Sequence, residues 1–514
     1  MNRRTFLGSS LGAVIAGNAP LNTFLQEAQA SSSASAGSTS INNNPSSVKL
    51  NIKPVMTALI HTDVWEGPCR FNVVTPCEEE AQVVKTFQKF VNDIKNNRFP
   101  FNRGDVNIFE PNLITFSEDF SLKEEQLNKL DRDSREIDAY FIKPDGASIA
   151  TFEIASRYNK PVILLGLSCR TVDIAAYSRS KGQQVLVPNN KDELGKLIYL
   201  LRAKKVFNKT RVLFPTERGL PPVASIASIN DPQELEARFG ITVMRISYQE
   251  LTEEVDRVMS GKTERKHAEE FADRLIRNSR QSYLESKYVA ASIQFYQTVI
   301  NLMNRYDCNA FTIECFEFCS SRLPEKWKIT PCLIHTLLKD QGFASSCEAD
   351  FGALLSMRLL MSVSGKSSHL GNVFLRRENI LEINHSAPGT RMNGYNRPAL
   401  PYKLGRFTDC GWGTKAVVDF MNNNEKKITA VRINPLATKM LVLRGTLVGA
   451  GGWDKDHLGC SVAAHIKPLN SGDSEEFIRK QTDYGNHLIW VYGDYADQME
   501  QLGNLLDMEV EVVS

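Results

Sequence analysis

Pro161-Val162-Ile163-Leu164-Leu165-Gly166 is an unbroken apolar run opened by proline and closed by glycine. Its length and boundaries fit a strand buried on both faces, the kind found in parallel sheets. Toward the N-terminus, Val55-Met56-Thr57-Ala58-Leu59-Ile60 and Ala139-Tyr140-Phe141-Ile142 repeat this texture, and residues 78–96 between them carry a helical pattern. Such alternation predicts a parallel sheet wrapped by helices. A second unit of the same kind opens at Arg211-Val212-Leu213-Phe214-Pro215 and continues through Ile241-Thr242-Val243-Met244. One long helical pattern over residues 264–306 then leads to Ala310-Phe311-Thr312-Ile313.

From about residue 375 the helical period fades. Ile380-Leu381-Glu382-Ile383, Ile428-Thr429-Ala430-Val431-Arg432-Ile433 and Lys439-Met440-Leu441-Val442-Leu443-Arg444-Gly445 follow one another, separated by Asn, Gly and Pro turns. This texture predicts β-structure. The expected fold class is α/β, with two Rossmann-like parallel-sheet domains over residues 48–207 and 208–367 and a β-rich, barrel-like domain over residues 368–514. One βα pair, Leu488-Ile489-Trp490-Val491-Tyr492 and a helix over residues 496–506, is expected to close the chain.

Three domains suit 514 residues, of which 42% are hydrophobic and 23% charged, since a domain runs to roughly 150 residues. Lysine and arginine number 61 against 59 acids, a net charge of +2. No broad field of one sign exists to collect nucleic acid or anionic lipid, so a small, neutral partner is expected.

Asn2-Arg3-Arg4-Thr5-Phe6-Leu7 sets two arginines before a short, glycine-containing apolar stretch, and Ala28-Gln29-Ala30 supplies a small-x-small cleavage pattern. Residues 1–30 therefore read as a twin-arginine signal peptide, with Ser31 opening the mature chain. The expectations are passage through the twin-arginine export machinery, a periplasmic location and no transmembrane span in the mature protein. Residues 31–47 are Ser, Ala, Gly and Asn with few bulky apolar side chains, the composition of a flexible linker. The ten cysteines include no CxxC pair, and several lie in apolar runs, Cys169, Cys308 and Cys347 among them. Buried free thiols are expected rather than a disulfide framework.

Three places offer groups that could hold a metal. Glu314 ends the strand-like run Ala310-Phe311-Thr312-Ile313, and acids at the carboxyl ends of parallel strands face the crevice where ligands bind. Ser345-Ser346-Cys347-Glu348-Ala349-Asp350 precedes an apolar helix at Phe351. Serine capping and acids at the positive end of the helix account for this pattern without any ligand. Glu348 and Asp350 are two apart, so one at most is expected to ligate a given ion. His385, in Asn384-His385-Ser386-Ala387-Pro388, and His487, in Gly485-Asn486-His487, sit at strand edges among only eight histidines.

In order and surroundings, these elements resemble the L-fucose isomerase-like family, within the L-fucose/L-arabinose isomerase fold. Glu314-Cys315, Cys347-Glu348-Ala349-Asp350, His385-Ser386-Ala387-Pro388 and the late Asn486-His487 carry the resemblance. It implies a metal-dependent aldose–ketose isomerase working through a cis-enediol, with Glu314, Asp350 and His487 as ligands of a divalent metal, manganese by type. Glu314 and Asp350 would double as acid and base. It also implies that His385 lines or ligates the site, that Glu348 contacts a sugar hydroxyl, and that the subunits form a homo-oligomer. Trp453, after the glycine-rich turn Gly449-Ala450-Gly451-Gly452, either closes a tight barrel loop or stacks on a sugar face. The rival expectation is an exported carbohydrate-binding protein that keeps the scaffold without turnover.

Overall fold

The computed structural model describes residues 41–67, 70–102, 104–146, 148–469 and 474–513. The expected signal peptide and linker residues 31–40 lie outside them. The remainder of the expected linker is not a free tether. Ile41 is buried in the core, the Asn42 N–H donates to Asn304 Oδ1 at 2.8 Å, and Asn44 caps a short turn over Pro45–Ser47. A single large apolar side chain, with asparagines that satisfy the backbone around it, is enough to dock this segment. No helix among the described residues is long and apolar enough to cross a membrane.

The first sheet is parallel and runs in the order Val106–Ile108, Leu50–Leu59, Ala139–Pro144, Val162–Leu164, Val185–Leu186. Leu50–Leu59 is longer than Val55 to Ile60, and it changes partner along one flank, from Val106–Ile108 to Asn112–Phe116. Ile52 O accepts from Phe109 N on that flank. Pro54 has the same parity and falls opposite the gap between the two partners, where its missing N–H breaks no ladder bond.

The second sheet, also parallel, has the order Thr242–Ile246, Arg211–Pro215, Ala310–Ile313, Ala344–Cys347. Its last strand corrects the expectation that Ser345 or Ser346 caps the following helix. Both serines lie within the strand, where Ser345 Oγ meets His335 Nδ1 at 2.7 Å and Ser346 Oγ meets Thr312 Oγ1 at 3.0 Å. The cap is Asp350, whose carboxylate accepts from Ala353 N at 2.9 Å. The long helical pattern over residues 264–306 is likewise two helices, Lys262–Asn278 and Ser286–Arg305. Between them Arg280 N and Tyr283 N donate to Tyr402 O and Leu404 O, so backbone pairing with a distant strand replaces one helical turn.

The C-terminal region is a closed, six-stranded antiparallel barrel. Lys427–Ile433 pairs with His487–Tyr492, followed in turn by His369–Arg376, Ile380–His385, Val462–Pro468 and Lys439–Gly451, which pairs back to Lys427–Ile433. Closure removes both free edges. The expected strand and helix are present as His487–Tyr492, which serves as a barrel strand, and Ala496–Leu505, but they do not close the chain. After the helix Ala496–Leu505, Glu509–Val513 adds parallel to Lys439–Gly451. The helix Phe351–Ser364 is buried along nearly its whole length and packs on the barrel, on the second sheet and on the helix Lys191–Asn208. It joins the end of the second sheet to the barrel wall.

Candidate metal centre

The site forms where the carboxyl edge of the second sheet meets the barrel. Glu348 lies in the turn between the strand Ala344–Cys347 and the helix Phe351–Ser364, with φ of 60° there and 48° at Ala349. Left-handed backbone at two successive non-glycine residues costs on the order of 1–3 kcal/mol each and persists only where neighbours hold it. Here Ser228 Oγ donates to Ala349 O and accepts from Phe351 N, both at 2.9 Å, while Ala349 N donates to Ile313 O at 3.2 Å. The turn is pinned with Glu348 aimed at the barrel.

Two barrel strands supply the histidines. Asn372 pairs with Asn384 on one side and with His487 on the other, which brings His385 and His487 to the same end of three adjacent strands. Their rings are 5.3 Å apart and inclined at 71°. His385 Nε2 is 3.4 Å from Glu348 Oε1, and His487 Nε2 is 3.5 Å from Glu348 Oε2. One ligand atom from each of Glu348, His385 and His487 lies within 4.8 Å of the others, the only such metal-competent group among the described residues. His487 Nε2 is buried without a hydrogen-bond partner. A carboxylate and two imidazoles, one of them with an orphaned nitrogen, fit a divalent cation with mixed oxygen and nitrogen ligation.

Gly371 lies between the two histidine strands, and a Cβ there would meet Asn384 N and Ile383 Cγ2 at 2.7 Å. We expect Gly371→Ala to lower stability by about 1–3 kcal/mol, through displacement of the strand that carries His385. Urea unfolding measures the loss; an unchanged midpoint would mean that the strand yields freely.

Behind the cluster, Asp350 is fully committed. Its Oδ2 is 2.9 Å from His487 Nδ1 and 2.7 Å from Arg432 Nη1, and its Oδ1 caps the helix. Burial opposes its charge, but Arg432 and His487 outweigh that and hold its carboxyl at about 2. Asp350 thus orients the imidazole that faces the cluster, where direct ligation had been expected. Glu348 balances the same way: burial opposes ionisation, while His385, His487 and the Ser225 hydroxyl, 2.9 Å away, hold its carboxyl at about 2.

Glu314 ends the central strand as expected. One carboxylate oxygen accepts from Glu317 N, while Oε1 is buried without a partner. Burial pushes its carboxyl up, against the Glu317 and Ala224 amides, and the nearby Glu348 charge adds to the rise. The Trp453 ring lies 4.8 Å from Lys403 Nζ, and its carbonyl accepts from the same ammonium.

The loop after His385 is tied to the helix Cys332–Asp340. Lys339 Nζ donates to Ala387 O, and Asp340 accepts from Thr390 N at 2.8 Å and Arg391 N at 2.9 Å. Burial pushes the Lys339 ammonium down to about 8. The unfolded chain keeps this proton up to about 10.4 and the folded chain releases it near 8, so protein stability is expected to rise with pH across that window. Lys339→Met should remove about 2 kcal/mol of the rise between pH 7.5 and 9.5. Denaturant titrations at pH 7.5 and 9.5 check this, and equal slopes for both proteins would refute it.

Sequence reasoning missed Ser225, Ser228 and Arg432. The serines carry no periodic signal, because they lie in the loop after Arg211–Pro215. Arg432 did carry one, since an arginine within the apolar run Ile428 to Ile433 needs a buried partner.

No model of a protein family matches the chain. A 333-residue stretch is 23% identical to the sulfoquinovose isomerase of Priestia aryabhattai, covering 63% of this chain and 70% of that relative. The sulfoquinovose isomerase of Priestia megaterium matches with the same identity and coverage. The similarity points to an isomerase.

Proposed function

We propose that this protein is a metal-dependent aldose–ketose isomerase of the L-fucose isomerase-like kind. The observation that carries the reading is the convergence of Glu348, His385 and His487 beside the buried acid Glu314. The similarity to sulfoquinovose isomerases supports it.

Glu348 Oε, His385 Nε2 and His487 Nε2 would hold a divalent cation, manganese in this reading. When bound, that ion supplies Lewis-acid stabilisation of the sugar's carbonyl and hydroxyl oxygens. Asp350 and Arg432 fix the ring of His487, and Ser225 steadies Glu348. Glu314 does the proton work. Its Oε1, free of hydrogen bonds, takes the proton from the carbon beside the carbonyl and delivers it to the adjacent carbon, while the hydroxyl proton passes to the former carbonyl oxygen, so that the two states are linked by a cis-enediol. A carboxyl raised by burial suits a group that must both accept and give a proton. We also propose export of the folded, metal-loaded chain by the twin-arginine route to the periplasm, and assembly as a homo-oligomer.

The test incubates manganese-loaded protein with a panel of aldoses, sulfonated ones included, in deuterium oxide. Ketose formation with deuterium at C1 of the ketose and at C2 of the recovered aldose is expected, and loss of both on chelation. Calorimetric sugar binding without ketose or exchange would replace the enzyme by a carbohydrate-binding protein.

A further inference from the structure

Two cysteines flank the two acids of the site in mirrored order: Glu314 is followed by Cys315, and Cys347 is followed by Glu348. The parallel register sets Ile313 directly against Cys347. Cys315 Sγ turns back toward the carbonyl of Ile313, at 3.9 Å, the residue that pairs with Cys347, which sets the two thiols beside each other. Cys315 is half-buried, Cys347 is 2% exposed, and neither is in a disulfide. Neither thiol takes part in metal binding or proton transfer as proposed above.

We infer that Cys315 and Cys347 form a reversible disulfide that controls where Glu348 points. The left-handed turn at Glu348 and Ala349 is held by the Ser228 hydroxyl, which donates to Ala349 O, and by the Ile313 carbonyl, which accepts from Ala349 N. It begins at Cys347 itself, so drawing this sulfur into a covalent bond with Cys315 displaces the first residue of a turn with little slack. Glu348 follows, and its carboxylate leaves His385 and His487. The device rests on the assignment of Glu348 to the metal centre.

The chemistry balances with a small-molecule disulfide, such as oxidised glutathione, as oxidant. The Cys315 thiolate attacks one sulfur of the oxidant, breaks its S–S bond and expels one glutathione thiolate. The Cys347 thiolate then attacks the Cys315 sulfur of the mixed disulfide and expels the second. The two protein thiols are oxidised, one S–S bond forms as one breaks, and both protons pass to the released glutathione thiolates.

The full-length protein is equilibrated with oxidised glutathione, and the bridge is located by peptide mapping. Manganese affinity and amide hydrogen exchange over residues 347–351 are then read before and after reduction by dithiothreitol. A Cys315–Cys347 bridge, manganese binding weakened at least ~10-fold and faster exchange in the turn, all reversed by dithiothreitol, are expected. Cys315→Ser should keep the affinity of the reduced protein and lose the response, and Cys315→Ala serves equally if the serine variant folds poorly. Mapping that finds Cys315 and Cys347 free, singly modified or bridged to other cysteines overturns the inference, as does a bridge that leaves both affinity and exchange unchanged. If the reduced protein binds no manganese, the metal assignment fails, while mapping and exchange still decide the disulfide.

Discussion

Glu348→Gln is expected to weaken manganese binding by more than about 100-fold and to reduce isomerase turnover to background. Glu348 is the only carboxylate of the three-residue cluster and the only member that faces both imidazoles, at 3.4 and 3.5 Å. Glutamine keeps its size and its hydrogen bond with Ser225 but removes the negative charge that a divalent cation requires. It also leaves two imidazoles facing a neutral amide. Titration calorimetry with manganese gives the affinity, and thermal unfolding of the metal-free protein separates a lost ligand from a lost fold. A variant that binds manganese as tightly as the parent would place the ion elsewhere and would remove the basis of the proposed function.

The second large effect is on stability. Arg432 is fully buried and makes three contacts: Nη1 to Asp350 Oδ2 at 2.7 Å, Nε to Tyr484 O at 2.8 Å and Nη2 to Ala227 O at 3.0 Å. Arg432→Met fills comparable volume but strands the Asp350 carboxylate in a dry site, and breaking a buried pair from one side costs about 3–5 kcal/mol. The double variant Arg432→Met/Asp350→Asn should lose less than the single one, because no buried charge is left behind. The pH dependence follows from the same pair. With its carboxyl at about 2 instead of 3.8, Asp350 contributes about 2 kcal/mol that is fully present above pH 4 and is lost as pH falls toward 2. That acid-side loss should shrink in Arg432→Met. Urea unfolding at pH 7 and pH 3 measures both effects, and a double variant no more stable than Arg432→Met would show that the arginine acts by packing alone.

These two variants separate the groups proposed to meet the ion from the groups that aim them. Asp350 faces away from the cluster because Arg432, one strand over in the barrel wall, draws its carboxylate backward. His487 Nδ1 is then bound to Asp350 and its Nε2 is left toward Glu348 and His385. A carboxylate behind a ligating histidine fixes which nitrogen faces the metal and raises its basicity.

Much of this was open to reading in the chain itself. Apolar runs such as Val162 to Leu164 and Val212 to Phe214 are buried on both faces, so their strands announce themselves through composition, and the β-rich texture after residue 375 announced the barrel. Glu314, Glu348, Asp350, His385 and His487 were all recognisable as chemically suited residues, because short-range context marks strand ends and helix starts. The division of labour among them was not legible. Whether Glu348 or Asp350 meets the cluster depends on two left-handed φ angles and on an arginine 82 residues away from Asp350. The break at residues 279–285 depends on pairing with Tyr402 and Leu404. Local periodicity reports which face of an element avoids water, and that the sequence determined unaided. Which carboxylate oxygen faces which nitrogen is set by contacts between residues far apart in the chain, whose energies exist only once the barrel has closed against the second sheet, and that only the tertiary structure decided.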